Sequence, residues 1–298
     1  MAPKRVLVTG ASGFTGCAMM RFLSDHRPDW ETIGVDRVGS GDVAELDLAD
    51  ESAVLSLVSD VRPGLTFHLA GTAAGSTWSE LYEDNVHITA NLLESLAAGA
   101  PGSRVIVPGS AAEYGYDGAL PAHEDMVPRP VTPYGTAKAW QSTLVCFYST
   151  RGLHVSVGRI FNICGPGVPR VSVLGSAVEQ LRGIAAGSQP ERVVLGWTGA
   201  MRDFLDIDDV CSAMLTLGER GENGGVYNVC SGAAARVSDA VRLLVRASGL
   251  DVEVVSDSPE PSPGDVPVSY GDNSKLTATG WRPLITLEES LRRAWHAV

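Results

Sequence analysis

The glycines at positions 10, 13 and 16 constrain this chain more than any other feature of its sequence. They follow directly on a short apolar run, residues 4–9, and open a segment that reads as a helix to about His26. Met19, Met20, Phe22 and Leu23 supply that helix with a packing face. Glycines spaced in this way between strand and helix permit a tight turn. They also let a pyrophosphate approach the backbone at a helix N-terminus, where free N–H groups and the helix dipole favour negative charge. The competing reading is an ordinary strand–helix turn of some other α/β protein.

The following segments fit a dinucleotide site. A second strand, residues 31–36, ends in Asp36, twenty residues after Gly16. A carboxylate there accepts from the adenosine ribose hydroxyls and repels a 2′-phosphate, so NAD(H) is favoured. Arg37 follows, and its pairing with a phosphate keeps NADP(H) possible. A third strand, 42–46, leads to Asp47 and Leu48. Asp47 is placed either to reach the adenine or to cap the next helix. The fourth strand, 65–71, ends in Leu69, Ala70 and Gly71, small enough for a cofactor to pass. His68, inside that apolar strand, reads as a core histidine with satisfied partners. A helix is expected over 78–98, a fifth strand over 103–108, a loop over 117–133, a helix over 134–150 and a sixth strand over 154–161. This alternation predicts a Rossmann-type doubly wound parallel sheet with a smaller C-terminal α/β lobe. The boundaries expected are 1–164 plus about 200–231 for the sheet domain, and about 165–199 plus 232–298 for the lobe.

Tyr134 and Lys138, four residues apart, share one face of their helix. An ammonium beside a phenol stabilises the phenolate and is expected to lower the tyrosine pKa, giving a proton carrier near neutral pH. The chain has three lysines, Lys4, Lys138 and Lys275, against twenty arginines, so lysine here stands out. The net charge of −12 comes with no basic block, which argues against nucleic acid as a partner. Five scattered cysteines without a Cys-x-x-Cys predict a reducing compartment, no disulfide framework and no zinc site. Asp206, Asp208 and Asp209 open a helix and read as caps and dipole partners rather than metal ligands. No apolar run approaches a membrane span, so a cytoplasmic protein is expected.

With Thr9-Gly10-x-x-Gly13-x-x-Gly16, Ser110, Tyr134-x-x-x-Lys138 and Arg202-Asp203-Phe204 in this order, the chain resembles the extended short-chain dehydrogenase/reductase family. Gly109-Ser110-Ala111-Ala112-Glu113-Tyr114-Gly115 and the segment 265–283 look most like its GDP-4-keto-6-deoxy-mannose reductases. The resemblance implies a nicotinamide cofactor, a nucleotide-diphosphate sugar as substrate and a homodimer paired through a four-helix bundle, with Leu92, Leu96 and Phe147 as candidate contacts. It makes Tyr134 the acid/base, Lys138 its pKa modulator and a ribose ligand, and Ser110 a donor to the substrate oxygen. The cofactor residues it implies are Gly10, Ser12, Gly13, Phe14, Thr15 and Gly16 in the turn, and Asp36, Arg37, Asp47 and Leu48 after the next strands. Leu69, Ala70, Gly71, Tyr134, Lys138 and Phe161 complete that set. Ser110, Ala111, Asn162, Arg170 and Arg202 are implied for the substrate, with Arg159 or Arg170 replacing a cation absent at Ser262. Glu113 reads as a second acid or a solvated loop carboxylate. Ala111 and Ala112 stand where the dehydratase branch carries an acidic pair, which disfavours dehydration. Hydride transfer at hexose C4 is expected, in a reductase or in a 4-epimerase that retains NAD. A dinucleotide sensor without turnover is the reading from another class.

Overall fold

The computed structural model describes residues 4–72, 77–115, 119–258, 260–261 and 266–297. Ser262 and part of the loops expected at 117–133 and 259–267 lie outside them. The first half alternates strand and helix: β1 (Arg5–Thr9), α1 (Phe14–His26), β2 (Glu31–Asp36), β3 (Val43–Glu45), α2 (Glu51–Val61) and β4 (Leu65–His68). Then come α3 (Trp78–Tyr82), a π-helical turn (Glu83–His87), α4 (Ile88–Gly99), β5 (Arg104–Ser110), α5 (Pro133–Thr150) and β6 (His154–Ile160). The second half holds β7 (Asn162–Cys164), α6 (Val173–Ala185), β8 (Arg192–Leu195), β9 (Met201–Asp206), α7 (Ile207–Arg220), β10 (Val226–Val229) and β11 (Ala234–Arg236). It closes with α8 (Val237–Ser248), β12 (Glu253–Ser256), β13 (Val268–Ser269), α9 (Ser274–Ala278) and α10 (Leu287–His296).

Among the described residues a seven-stranded sheet runs β10-β6-β5-β4-β1-β2-β3, and its pairings are all parallel. This is the expected doubly wound sheet. Its central strands are buried on both faces, as Leu65–His68 is, because helices cover both sides. Met19, Phe22 and Leu23 of α1 join Val210, Met214 and Leu217 of α7 on one face. Val54 and Val58 of α2, Leu92, Leu93 and Leu96 of α4, and Val145 and Tyr148 of α5 fill the other. Leu92 and Leu96 are fully buried in that layer, so they are not available as contacts between subunits, whereas Phe147 is exposed. Nor is the helix expected over 78–98 regular, since the π turn interrupts it.

The strand order reverses between β1 and β4, and in open α/β sheets the crevice at such a point is where ligands bind. A second, four-stranded sheet joins β7, β9, β11 and β13, and β8 pairs with β12. α6, α8 and α10 pack on these strands around Leu174, Leu181, Phe204, Val241, Leu244 and Leu291. Their attachment to the main sheet includes Asp206, which caps α7 through the Asp208 N–H and accepts from Ser290 and Arg293 of α10. Asp208 also pairs with Arg293, and Asp209 accepts from the Leu284 and Ile285 N–H groups. These carboxylates serve as cap and tie, and no metal-holding cluster occurs among the described residues.

Candidate active site

The glycine turn holds β1, α1 and β4 together. Gly10 adopts φ +68°, and a Cβ there would sit 2.5 Å from the Ala70 nitrogen. A Cβ on Gly16 would come within 1.9 Å of the Gly10 oxygen, so α1 rests on the turn itself. The cavity in front of this turn has a volume of about 580 Å³. Gly10, Ser12, Gly13, Asp36, Arg37, Asp47, Leu48, Leu69, Ala70 and Gly71 line it, as do Glu83, Asp84 and Ile88. The last three carried no signal in the sequence; the π turn brings them there. Phe14, Thr15 and Gly16 form the first turn of α1 instead of the cavity wall. Asp36 is held at the end of β2 by the Ser12 N–H, 3.0 Å from Oδ2. Arg37 is exposed and paired with Asp84 at 3.1 Å. The cap of α2 is Asp50, not Asp47, which leaves Asp47 on the cavity wall. A glycine cradle that excludes Cβ atoms, a helix N-terminus behind it and a carboxylate at the ribose end fit a dinucleotide.

A second cavity of about 320 Å³ is lined by Ser110, Ala111, Ala112, Gly115, Val131, Thr132, Tyr134, Ile160, Phe161, Asn162, Arg202, Val266 and Ser269. Ser110 ends β5 and caps a short 3₁₀ turn, accepting from the Ala112 N–H at 3.2 Å. Tyr134 enters on α5, whose start is set by Thr132 capping the Gly135 N–H at 3.0 Å and by Pro133 in the first turn. Ser110 and Tyr134 thus share one cavity wall. Phe161, expected beside the cofactor, faces this second cavity. Asn162 is there too, its amide donating to the Asp203 carbonyl at 3.1 Å, and Arg202 completes the wall with a bond to the Met201 carbonyl. Arg170, expected at the same place, is exposed and paired with Glu179 at 2.9 Å. Arg159 does not supply the missing cation either: it is buried and paired with Glu113.

The electrostatics differ from the expectation. Burial raises the Tyr134 pKa; the neighbouring Ser110 hydroxyl opposes that rise, and the Glu113 charge adds to it. The phenol is therefore held protonated at neutral pH instead of being drawn toward ionisation. Lys138 is turned along its own helix, and its Nζ donates to Gln141 Oε1. Burial brings its pKa down to about 8, against an upward pull from Glu113. Gln141 Nε2 donates to Thr89 Oγ1 at 2.8 Å, and His68 bridges Thr89 and Thr9 through its two ring nitrogens, each contact 2.8 Å. His68 is thus a satisfied core residue, neutral because burial takes its pKa to about 3. Cys164 is likewise fully buried, with its sulfur 3.1 Å from Ser290 Oγ. Glu113 is neither solvated nor directed into the cavity. Its spacing three residues after Ser110 is that of a capping box, a signal legible in the sequence.

A glycine-cradled cleft at the switch point, a second cavity walled by Ser110 and Tyr134, and Lys138 one turn beyond Tyr134 on α5 define the extended short-chain dehydrogenase/reductase class. The chain belongs to the NAD dependent epimerase/dehydratase family, whose pattern matches residues 6–230. Among curated proteins it is 33% identical to a GDP-6-deoxy-D-mannose reductase of Pseudomonas aeruginosa, covering 97% of this chain and 95% of that one. It is 28% identical to a dTDP-6-deoxy-L-talose 4-dehydrogenase (NAD(P)(+)) of Kitasatospora kifunensis, over 99% and 96%. Among solved structures, RMD from Pseudomonas aeruginosa complexed with NADPH superposes with a TM-score of 0.87 at 32% identity, over 98% of this chain and 96% of that one. The Thermus thermophilus UDP-glucose 4-epimerase complex with NAD gives 0.85 at 26%, over 98% and 97%.

Proposed function

We propose that this protein is a nicotinamide-dependent reductase of a nucleotide-linked 4-keto-6-deoxyhexose, with GDP as the favoured nucleotide. The observation that carries the reading is the placement of Tyr134 and Ser110 together on the wall of the second cavity, where burial keeps the phenol protonated. Bound NAD(H) supplies the hydride. Gly10, Gly13, Ser12 and Asp36 bind the dinucleotide, and Lys138 orients its ribose. Ser110 donates to the C4 oxygen and aligns it, and Tyr134 delivers the proton that the developing alkoxide needs. Asn162 and Arg202 hold the sugar diphosphate. Ala111 and Ala112 offer no acid or base for removal of water, in accord with a reductase rather than a dehydratase.

NAD(H) is the favoured cofactor through Asp36. NADP(H) is accommodated when Arg37 leaves Asp84 for a 2′-phosphate, and the NADPH complex of the Pseudomonas aeruginosa relative supports that second possibility. The functional units are the sheet domain, 1–164 with about 200–231, and the lobe, about 165–199 with 232–298. The protein works as a homodimer through the exposed Trp78, Tyr82, Trp140 and Phe147 on α3 and α5. A cytoplasmic setting accords with its five free cysteines; among the described residues no helix is long and apolar enough to cross a membrane.

Tyr134→Phe tests the reading. Loss of one oxygen leaves packing and cofactor binding intact, while turnover of a GDP-linked 4-keto-6-deoxyhexose falls by ~10²–10⁴-fold. A variant within threefold of the parent would remove the phenol from the mechanism. A 4-epimerase, favoured by Asp36 if NAD is never released, would instead yield protein that carries NAD through purification, as mass spectrometry of released ligands would detect.

A further inference from the structure

A buried ion pair lies beneath the serine turn, and the chemistry above does not use it. Glu113 is fully buried, and its carboxylate joins three elements. Oε1 accepts from the backbone N–H of Ser110 at 2.8 Å, at the end of β5. Oε2 accepts from Ser142 Oγ on α5 and from Arg159 Nε on β6, each at 2.9 Å. Ser142 lies one turn beyond Lys138 and two beyond Tyr134 on the same helix, so the carboxylate grips both halves of the catalytic set. Room for it depends on Gly109, where a Cβ would fall 2.5 Å from Oε1. Arg159 in turn lies 4.6 Å from the Tyr114 ring centre, and the Tyr114 hydroxyl donates to Asn228 Oδ1 on β10 at 2.6 Å. Apolar residues of similar volume commonly give as much stability as a buried ion pair, so stability alone is a weak reason for one at this place.

We propose that Glu113 is a positioning residue for proton transfer, clamping the Ser110 strand end to the Tyr134–Lys138 helix and setting a fixed negative charge beside both. The proposal rests on the oxidoreductase reading. The charged and titratable groups around Glu113 are Arg159 from β6, Tyr134 and Lys138 from α5, and Tyr114 from the turn that follows. The Glu113 charge raises the pKa of both Tyr134 and Lys138. Its removal makes each of them lose its proton at lower pH.

Glu113→Gln keeps the size and one acceptor oxygen and removes the charge. Turnover at pH 7 is expected to fall by ~10-fold to ~10²-fold, the cost of a misplaced catalytic group, with substrate KM little changed. The alkaline fall in turnover moves to lower pH, and so does the pH at which NADH binding, followed by fluorescence, weakens. Turnover and binding curves that superimpose on the parent's would overturn the proposal. NADH titration needs no sugar, so it reads Glu113 even if the parent reduces no 4-keto sugar, a result that would sink the functional reading alone. If Glu113→Gln does not fold, Ser142→Ala carries the test by removing a single hydroxyl. Its turnover is expected to fall about threefold or more with NADH binding retained, and parent-like turnover would overturn the clamp.

Discussion

Asp36 and Lys138 show how much a single side chain carries. Asp36 reaches the cleft from the end of β2 and is already anchored by the Ser12 N–H, so it needs little rearrangement to accept from a ribose. Asp36→Ala is expected to narrow the preference for NADH over NADPH, measured by fluorescence titration of both; tighter NADPH binding by the parent would overturn the assignment. Lys138 has its pKa lowered from 10.5 to about 8 by burial. The unfolded chain therefore binds more protons than the native protein between those values, and the cost of burying the ammonium is relieved as pH rises through that window. Relative to Lys138→Met, the cofactor-free parent is expected to gain roughly 3 kcal/mol of stability between pH 8 and pH 10.5. Denaturation curves at a series of pH values would show it, and a constant difference would mean that the lysine is not desolvated.

Helix α5 is the element on which the site turns. Its cap, Thr132, lies two residues before Tyr134 and on the wall of the same cavity, so helix entry and phenol position are set together. Thr132→Val keeps the shape and removes the acceptor for the Gly135 N–H. The expected cost is about 1 kcal/mol in a urea denaturation, with a fall in turnover at unchanged NADH binding. An unaltered midpoint would show that the cap contributes nothing. Helices α3 and α4 were less legible. Apolar spacing over 78–98 predicts one continuous helix, but it does not reveal an extra residue in a turn, and the π turn at Glu83–His87 shifts which side chains face α2. Leu92 and Leu96 accordingly belong to the core, while Trp78 and Trp140, 6.0 Å apart between ring centres, remain on the surface with Phe147.

At the scale of the molecule, that exposed aromatic face is the strongest argument for self-association. Exposed aromatic rings gathered on one face favour association, which supports the proposed dimer. Light scattering at micromolar concentration is expected to give a dimer mass, and Trp140→Asp with Phe147→Asp to give a monomer that still binds NADH. A monomeric parent would count against the dimer. The second sheet, of β7, β9, β11 and β13, meets the main sheet where Ser110 and Tyr134 face Asn162 and Arg202.

The alternation of strands and helices through the first half, the glycine turn, Asp36 and the Tyr134–Lys138 spacing were legible in the chain, because each depends on neighbours within a few residues: a period, a cap, a turn. Burial decided the rest, through partners distant in sequence. Gln141 takes Lys138 and passes on to Thr89, 52 residues away. Glu113 is paired with Arg159, 46 residues away. Helical spacing placed an ammonium near a phenol and implied a lowered tyrosine pKa. The folded protein raises that pKa instead, because the phenol is removed from water, while the Lys138 ammonium is committed to Gln141. Arg170 and Arg159 looked interchangeable as phosphate ligands in one dimension; tertiary packing gave one to Glu179 at the surface and the other to Glu113 in the core. Local spacing determines which groups can meet, and desolvation by the assembled fold determines their charge and their partners.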